Sequence, residues 1–219
     1  MSCYEILDVI LSFTSIAVVV FLAYEGFGAW KKQQFLIERH NLARDLLKSV
    51  HLLRKTIDRV RSPFMSSGEI SEGIRKLDEN IINGFDIDQK RDLGEINAYY
   101  ARWEGVAEIG SEFETQKTEA KIVLGINAEE LFKDFMKIIN DVKMALQFFG
   151  MQTNALVYGQ PKMFSERDMK KFMKQLIQGY SAVDNEDDEI DKRFDETVRT
   201  IEKSLEVFFK LEEKQNIKK

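Results

Sequence analysis

Histidine and cysteine are the side chains that most often bind transition metals, and this sequence contains only His40, His51 and Cys3. Eleven positions separate the two histidines, so on one helix they lie on the same side but roughly 16 Å apart, too far to share a metal ion. A single cysteine cannot form an internal disulfide or a Cys-x-x-Cys metal or redox centre. We therefore predict no metal site and no cofactor.

Carboxylates are densest in residues 184–191, where six of eight positions are Asp or Glu. A calcium-binding EF-hand loop needs glycine at its sixth position and glutamate at its twelfth. Counted from Asp184, these positions hold Glu189 and Asp195, so the pattern fails. Acidic residues interact favourably with the N-terminal end of a helix dipole, and we interpret the run as a helix start.

Motifs for nucleophilic catalysis and for nucleotide binding are also missing from the sequence. It contains neither a Gly-x-Ser-x-Gly elbow nor a phosphate-binding loop, and no glycine-rich turn follows a predicted strand. We predict no catalytic residues and a protein that is not an enzyme. One alternative is an enzyme with a nonstandard carboxylate site, which would need a concave pocket that gathers acidic side chains from two or more helices.

The N-terminal segment has the composition of a membrane span. Residues 9–24 contain no charged side chain, and residues 16–23 read IAVVVFLA. With Ile6 and Leu7 before them and the residues up to Trp30 after them, they supply the roughly 20 residues that cross a hydrocarbon core of about 30 Å. A cleaved signal peptide would begin with basic residues, and a buried core helix would carry a polar stripe. Neither feature is present, so we predict a retained transmembrane helix.

The residues that flank this segment predict its orientation. Residues 1–30 contain no Lys or Arg, whereas residues 31–61 contain nine against three acidic residues. Because basic flanks normally stay in the cytoplasm, we predict that the N-terminus lies outside and that residues 31–219 are cytoplasmic. Residues 1–30 form the anchor and residues 31–219 the second domain. The predicted membrane-interface residues are Tyr24, Trp30, Lys31 and Lys32.

The remainder of the chain is predicted to be helical. Only two prolines interrupt 219 residues of 44% hydrophobic content, which is typical of long helices. Apolar residues recur at spacings of three and four in residues 33–61, 88–124, 127–157 and 187–214, and shorter helices are predicted at 71–82 and 165–179. The core face predicted for the first of these helices is Leu42, Leu46, Val50, Leu53, Ile57 and Val60, and Pro63 ends it before a loop at residues 66–68. Gly125 ends the second long helix. Antiparallel packing buries such faces most simply. We predict an all-α fold in which one N-terminal transmembrane helix continues into an elongated antiparallel helical bundle.

Two patterns in the second domain allow alternatives. The basic residues of 31–61 can bind anionic lipid, or they can face solvent or pair with acidic helices. We favour solvent or pairing for all except Lys31, Lys32 and Arg39, which lie nearest the membrane. The aromatic stretch 99–104 can pack around Trp103 in the core or line a binding groove, and we favour the core. The net charge of −5 argues against nucleic acid as a partner.

Three features together resemble uncharacterised bacterial single-span membrane proteins with a cytoplasmic helical domain. These are the N-terminal span, the long basic helix ending in residues 59–64 (RVRSPF), and residues 100–104 (YARWE). The resemblance covers most of the chain and implies a bacterial inner membrane, but its motifs are packing and boundary residues. It implies no active site.

The sequence therefore favours a non-enzymatic interaction or scaffold protein anchored in the inner membrane. Its predicted partners are the lipid bilayer and either another protein or a second copy of the chain. The alternative is a membrane effector of a stress or antiphage response, in which the cytoplasmic domain senses a trigger and assembled spans perturb the membrane.

Overall fold

Six α-helices and no β-strands make up the part of the chain that this computed structural model describes, residues 3–78, 83–178, 180 and 188–216. Within these ranges, side-chain surroundings are described from Thr14 to Lys210. The helices are α1 (Cys3–Arg61), α2 (Ser67–Arg75), α3 (Ile87–Val123), α4 (Ala128–Val157), α5 (Glu166–Leu176) and α6 (Glu189–Asn216). The prediction of an all-α fold is confirmed.

Local sequence signals set the ends of these helices. Asp86 caps α3: its side chain accepts the Gln89 N–H at 2.8 Å, and the Gln89 side chain accepts the Asp86 N–H at 3.0 Å. After α3, Gly125 adopts a φ of 70°, which glycine tolerates at little cost, and Asn127 caps α4. The four long predicted helices are confirmed to within a few residues at their described ends.

One predicted loop was wrong. Residues 66–68 were assigned to a loop before a helix at 71–82, but α2 begins at Ser67 and ends at Arg75. Ser66 and Glu69 form a reciprocal capping box, in which the Ser66 hydroxyl accepts the Glu69 N–H and the Glu69 carboxylate accepts the Ser66 N–H. This box starts the helix one turn early. The last predicted residues, 79–82, lie outside the described part.

Helices α1, α3, α4 and α6 form a four-membered bundle in which α1 and α4 each lie beside α3 and α6. Arg39 of α1 contacts Leu124 and Phe208, near the ends of α3 and α6, whereas Arg61 contacts Asp188 at the start of α6. Helix α1 is therefore antiparallel to both neighbours. Helix α2 packs on α3 and α5 packs on α4, near the end of the bundle where α1 terminates.

Helix α1 runs without a break through the predicted boundary at residues 30–31. All six apolar residues predicted for its core face are buried: Leu42, Leu46, Val50, Leu53, Ile57 and Val60. Every residue from 14 to 35 is exposed. Among the residues that the structure describes, no helix is both long enough and apolar enough to cross a membrane. The transmembrane helix predicted in residues 1–30 therefore stays a prediction.

Candidate functional site

The four predicted membrane-interface residues lie together on the exposed part of α1. Tyr24 is 77% exposed and Trp30 is 54% exposed, and Lys31 and Lys32 follow directly. All four fall within about 12 Å along the helix axis, given a rise of 1.5 Å per residue. The rings of Phe27 and Trp30 are 5.6 Å apart. This part of α1 is an apolar helical surface that ends in aromatic rings and then in two ammonium groups.

Helix α1 contacts the bundle at Arg39, seven residues after Lys32. The Arg39 guanidinium donates a hydrogen bond to the Leu124 carbonyl oxygen at 2.8 Å, and lies 5.0 Å from the centre of the Phe208 ring. It thus caps the C-terminal end of α3, where carbonyl groups lack helical partners. Arg39 was predicted to be near enough to bind lipid; the structure instead pairs it with the bundle. About 13 Å of exposed helix separates it from Trp30.

Arg61, the last residue of α1, is fully buried and is surrounded by acceptors. Nη2 donates to both carboxylate oxygens of Asp188, at 2.8 and 2.7 Å, and Nη1 donates to Asp191 at 2.7 Å. Nε donates to the Gln175 carbonyl oxygen at 3.0 Å. The Arg61 carbonyl oxygen accepts the Gln178 N–H at 2.7 Å. One side chain therefore joins the end of α1 to the end of α5 and the start of α6.

A second ion pair continues this contact along the same two helices. Arg54 lies about two turns before Arg61, donates to Asp195 at 2.8 Å, and places its guanidinium 4.9 Å from the centre of the Phe194 ring. Burial raises the pKa of nearby Asp58, against the opposing effect of Arg54. Of the two arrangements favoured for these basic residues, solvent exposure or pairing with an acidic helix, these two arginines adopt pairing.

Residues 188–191, the described end of the acidic run, have a structural role. Asp188 and Asp191 neutralise Arg61, and one Asp188 oxygen also accepts the backbone N–H groups of Ile190 and Asp191, at 3.1 and 3.2 Å. These contacts support the interpretation of a helix start. Residues 184–187 lie outside the described part. Within the described residues, no group of three or more His, Cys, Asp or Glu side chains is arranged to hold a metal ion.

Arg102 makes a similar junction between α1, α2 and α3. Its guanidinium donates to the carbonyl oxygens of Arg59 and Ser62, both at 3.1 Å, and to that of Phe64 at 2.7 Å. It also pairs with the Glu69 carboxylate at 2.9 Å. The Arg102 hydrogen bonds lower the pKa of Glu69 to about 2, with a further contribution from the Ser66 N–H. Arg102 therefore caps α1 after Pro63 ends it.

One polar cleft does gather carboxylates from two helices. It measures about 560 Å³ and lies between α4, α5 and α6. Its charged side chains are Asp134, Lys137, Asp141, Lys171, Glu189, Arg193 and Glu196. Three cations thus accompany four carboxylates, and Arg193 pairs with Asp141 at 3.0 Å. The charges of this cleft are mixed, as on an ordinary solvated surface.

Trp103 serves both roles that the sequence left open. It is partly buried against the core, as predicted. It also lines an apolar groove of about 310 Å³ between α3 and α4, whose floor is Leu53 of α1. The small residues Ala107 and Gly110 leave the groove open on the α3 side, and Asn140 forms part of the α4 side. Sequence periodicity could not reveal it, because it depends on which helix faces which.

No protein-family model matches the chain, and no curated protein or solved structure is significantly similar to it.

Proposed function

We propose that the chain is a single-pass protein of the bacterial inner membrane, in which an elongated antiparallel helical bundle binds a protein partner or a second copy without catalysing a reaction. The observation that carries this proposal is the two-part character of α1. Every residue from 14 to 35 is exposed, although most of those before Lys31 are apolar, whereas one face of the same helix, from Leu42 to Val60, is buried. Exposed apolar surface is unfavourable in water, and a lipid environment removes that cost.

The proposed span is residues 6–30, with the aromatic rings of Tyr24 and Trp30 at its inner boundary. Lys31 and Lys32 follow at the position where cytoplasmic basic residues are favoured. For residues 6–13 the support comes from the sequence alone, because their side chains lie outside the described part. The orientation places the N-terminus outside and the bundle in the cytoplasm.

The proposed interaction role is supported by the rigid connection between span and bundle. Helix α1 is continuous, and Arg39, Arg54 and Arg61 join it to the other helices at three levels. Such a connection holds the bundle surface at a set height above the membrane. In the cleft between α4, α5 and α6, three cations accompany the four carboxylates, which favours a solvated surface over a catalytic site.

Cell fractionation of the full chain tests the anchor. We expect the chain in the membrane fraction, resistant to alkaline extraction. Val19→Arg should reduce insertion, because arginine at the centre of a span costs about 2.5–3.5 kcal/mol. Val207→Arg is the matched control, since Val207 is an exposed valine on α6. The proposed anchor is contradicted if the two variants divide equally between membrane and soluble fractions. It is also contradicted if the wild-type chain is found in the soluble fraction.

Gentle detergent purification tests the interaction role. We expect either a homo-oligomer or a specific partner at constant stoichiometry, identified by light scattering and mass spectrometry. A chain that is monomeric and alone at every concentration argues against a scaffold. Measuring membrane potential during overexpression distinguishes the effector alternative, which predicts depolarisation that the scaffold proposal does not.

A further inference from the structure

A cavity of about 510 Å³ lies between α1, α2 and α3, beside the junction made by Arg102. Its α3 wall includes Ala98, Ala101 and Gly105, and Gly73 forms part of its α2 wall. The spacing of the three α3 residues places them on one side of that helix. Because none of these side chains extends beyond a methyl group, the three helices leave space between them. The volume falls within the range of small-molecule sites, about 300–1,000 Å³.

The Arg102 junction holds the walls of this cavity in place. The Arg102 side chain is only 6% exposed, and its guanidinium makes five hydrogen bonds within the protein, as many as it has N–H groups. Two of its acceptors, the Arg59 carbonyl oxygen of α1 and the Glu69 carboxylate of α2, belong to residues that line the cavity. Because the walls are fixed before a ligand arrives, little ordering is needed on binding.

The charges that line the cavity leave two cations available. The Glu69 carboxylate is neutralised at the junction, and the Glu72 carboxylate pairs with Arg75 at 2.6 Å. Arg59 and Lys76 also line the cavity and are exposed. Within the described part of the chain, neither the Arg59 guanidinium nor the Lys76 ammonium group makes an ion pair or a hydrogen bond. The cavity therefore offers two positive charges to a ligand, although the chain as a whole has a net charge of −5.

We propose that this cavity binds a small organic phosphate monoester, with Arg59 and Lys76 contacting the phosphate and the small residues of α3 contacting the rest of the ligand. A phosphate monoester carries close to two negative charges at neutral pH, which matches the two cations. A guanidinium group can also donate two parallel hydrogen bonds to phosphate oxygens. None of the described residues that line the cavity is aromatic, so it has no ring on which a nucleobase would stack. The ligand is therefore a phosphate with an aliphatic body and not a nucleotide.

The phosphate belongs to a soluble compound and not to a lipid headgroup. Arg59 follows Trp30 by 29 residues on the continuous helix α1, which corresponds to about 44 Å along its axis. With Trp30 at the membrane boundary, as proposed above, the headgroups of that membrane are out of reach of Arg59. This exclusion rests on the proposed function, whereas the cavity and its charges do not depend on it.

Titration of the full chain with butyl phosphate, followed by phosphorus NMR in an uncharged detergent at a pH of about 8, tests the proposal. We expect saturable binding of one molecule per chain. Inorganic phosphate lacks the aliphatic body and should bind about tenfold more weakly. Dibutyl phosphate, a diester with the single charge of a lipid linkage, should also bind about tenfold more weakly. The proposal is overturned if butyl phosphate does not saturate a site below about 10 mM, or if either comparison compound binds as tightly.

Removal of the two cations tests the phosphate contacts. Arg59→Ala with Lys76→Ala should weaken binding of butyl phosphate about a hundredfold, because each change removes a charge-assisted contact that contributes about tenfold. Lys48→Ala with Lys203→Ala is the matched control. It removes the same charge from exposed positions outside the cavity, where salt screens it, and should change binding by less than about twofold. An equal loss in both double variants would show that overall charge attracts the phosphate, and would overturn the site.

Filling the cavity without changing its charge tests the position of the ligand. Gly68 lines the cavity, and a Cβ added there would meet only the Ser66 hydroxyl oxygen, at 3.8 Å. Gly68→Phe should therefore fold and weaken binding about tenfold. Gly110→Phe is the control, because Gly110 lies outside the cavity and a Cβ added there would meet nothing within 4 Å. Circular dichroism checks that both variants retain their helix content.

The outcomes separate this site from the proposed anchor. If Gly68→Phe binds butyl phosphate as tightly as the wild-type chain, the phosphate binds outside the cavity and the proposal is overturned. If the wild-type chain is found in the soluble fraction and still binds butyl phosphate through Arg59 and Lys76, the anchor is contradicted and the site stands. A membrane-bound chain that does not bind butyl phosphate overturns the site alone.

Discussion

Replacing Arg61 by methionine removes the most buried charge in the described part of the molecule. Methionine is close to arginine in length and fills much of the same space, so the cavity that remains is small. Asp188 and Asp191, both largely shielded from water, then lose the cation that neutralises them, and the Gln175 carbonyl oxygen loses its donor. Leaving one partner of a buried ion pair uncompensated costs about 3–5 kcal/mol.

We expect Arg61→Met to lower the free energy of unfolding by about 3–5 kcal/mol, or roughly 6–20 °C in melting temperature for a chain of this size. The measurement is thermal unfolding of the full chain in detergent, followed by circular dichroism. Arg75→Met is the matched control, because Arg75 pairs with Glu72 at 2.6 Å but is exposed. Exposed pairs contribute under about 1 kcal/mol.

The destabilisation should come from the two carboxylates that have lost their buried cation and not from lost packing. Adding Asp188→Asn and Asp191→Asn to Arg61→Met should therefore restore at least half of the loss, since no buried charge remains without a partner. If Arg61→Met costs no more than Arg75→Met, Arg61 does not join the helices as argued. If the triple variant is less stable than the single one, the cost lies in packing.

Three further changes test the junction at α2. Gly73→Ala would place a Cβ against the Gly94 carbonyl oxygen, so its free energy of unfolding in urea should fall by about 1–3 kcal/mol. Gly105→Ala is the control, because its Cβ would meet only an ordinary contact at 3.6 Å, and its free energy of unfolding should rise by about 0.5–1 kcal/mol. Equal effects would contradict the close crossing of α2 and α3. Because the pKa of Glu69 lies at about 2, below its ordinary 4.5, the ionised carboxylate stabilises the fold above pH 4.5, and this contribution disappears as the pH falls through 2. Glu69→Gln should flatten the stability profile between these values, by under about 1 kcal/mol because water screens the partly exposed group, and an unchanged profile would refute the pairing. Arg102→Lys should cost about 1–3 kcal/mol at neutral pH, since an ammonium group cannot reach the same set of carbonyl oxygens; a neutral result would show that α1 needs no cap from α3.

The sequence alone determined the four long helices and the buried face of α1. The six core residues predicted for α1, from Leu42 to Val60, are all buried, because a spacing of three and four places side chains on one side of any helix. Pro63 and Gly125 marked helix ends for equally local reasons, namely restricted backbone angles before proline and tolerance of positive φ at glycine. The exposed aromatic and basic residues around Trp30 were also evident from composition.

Tertiary structure alone decided which charges meet and which surfaces stay open. Arg61 and Asp188 are separated by 127 positions, and nothing in the local pattern of either marks it as a partner of the other. The same holds for Arg102, whose acceptors are the carbonyl groups at the end of another helix. The groove beside Trp103 exists only because α3 and α4 pack side by side next to Leu53 of α1. Periodicity reports which side of a helix is apolar, but pairing and exposure depend on how distant helices are placed around a shared core.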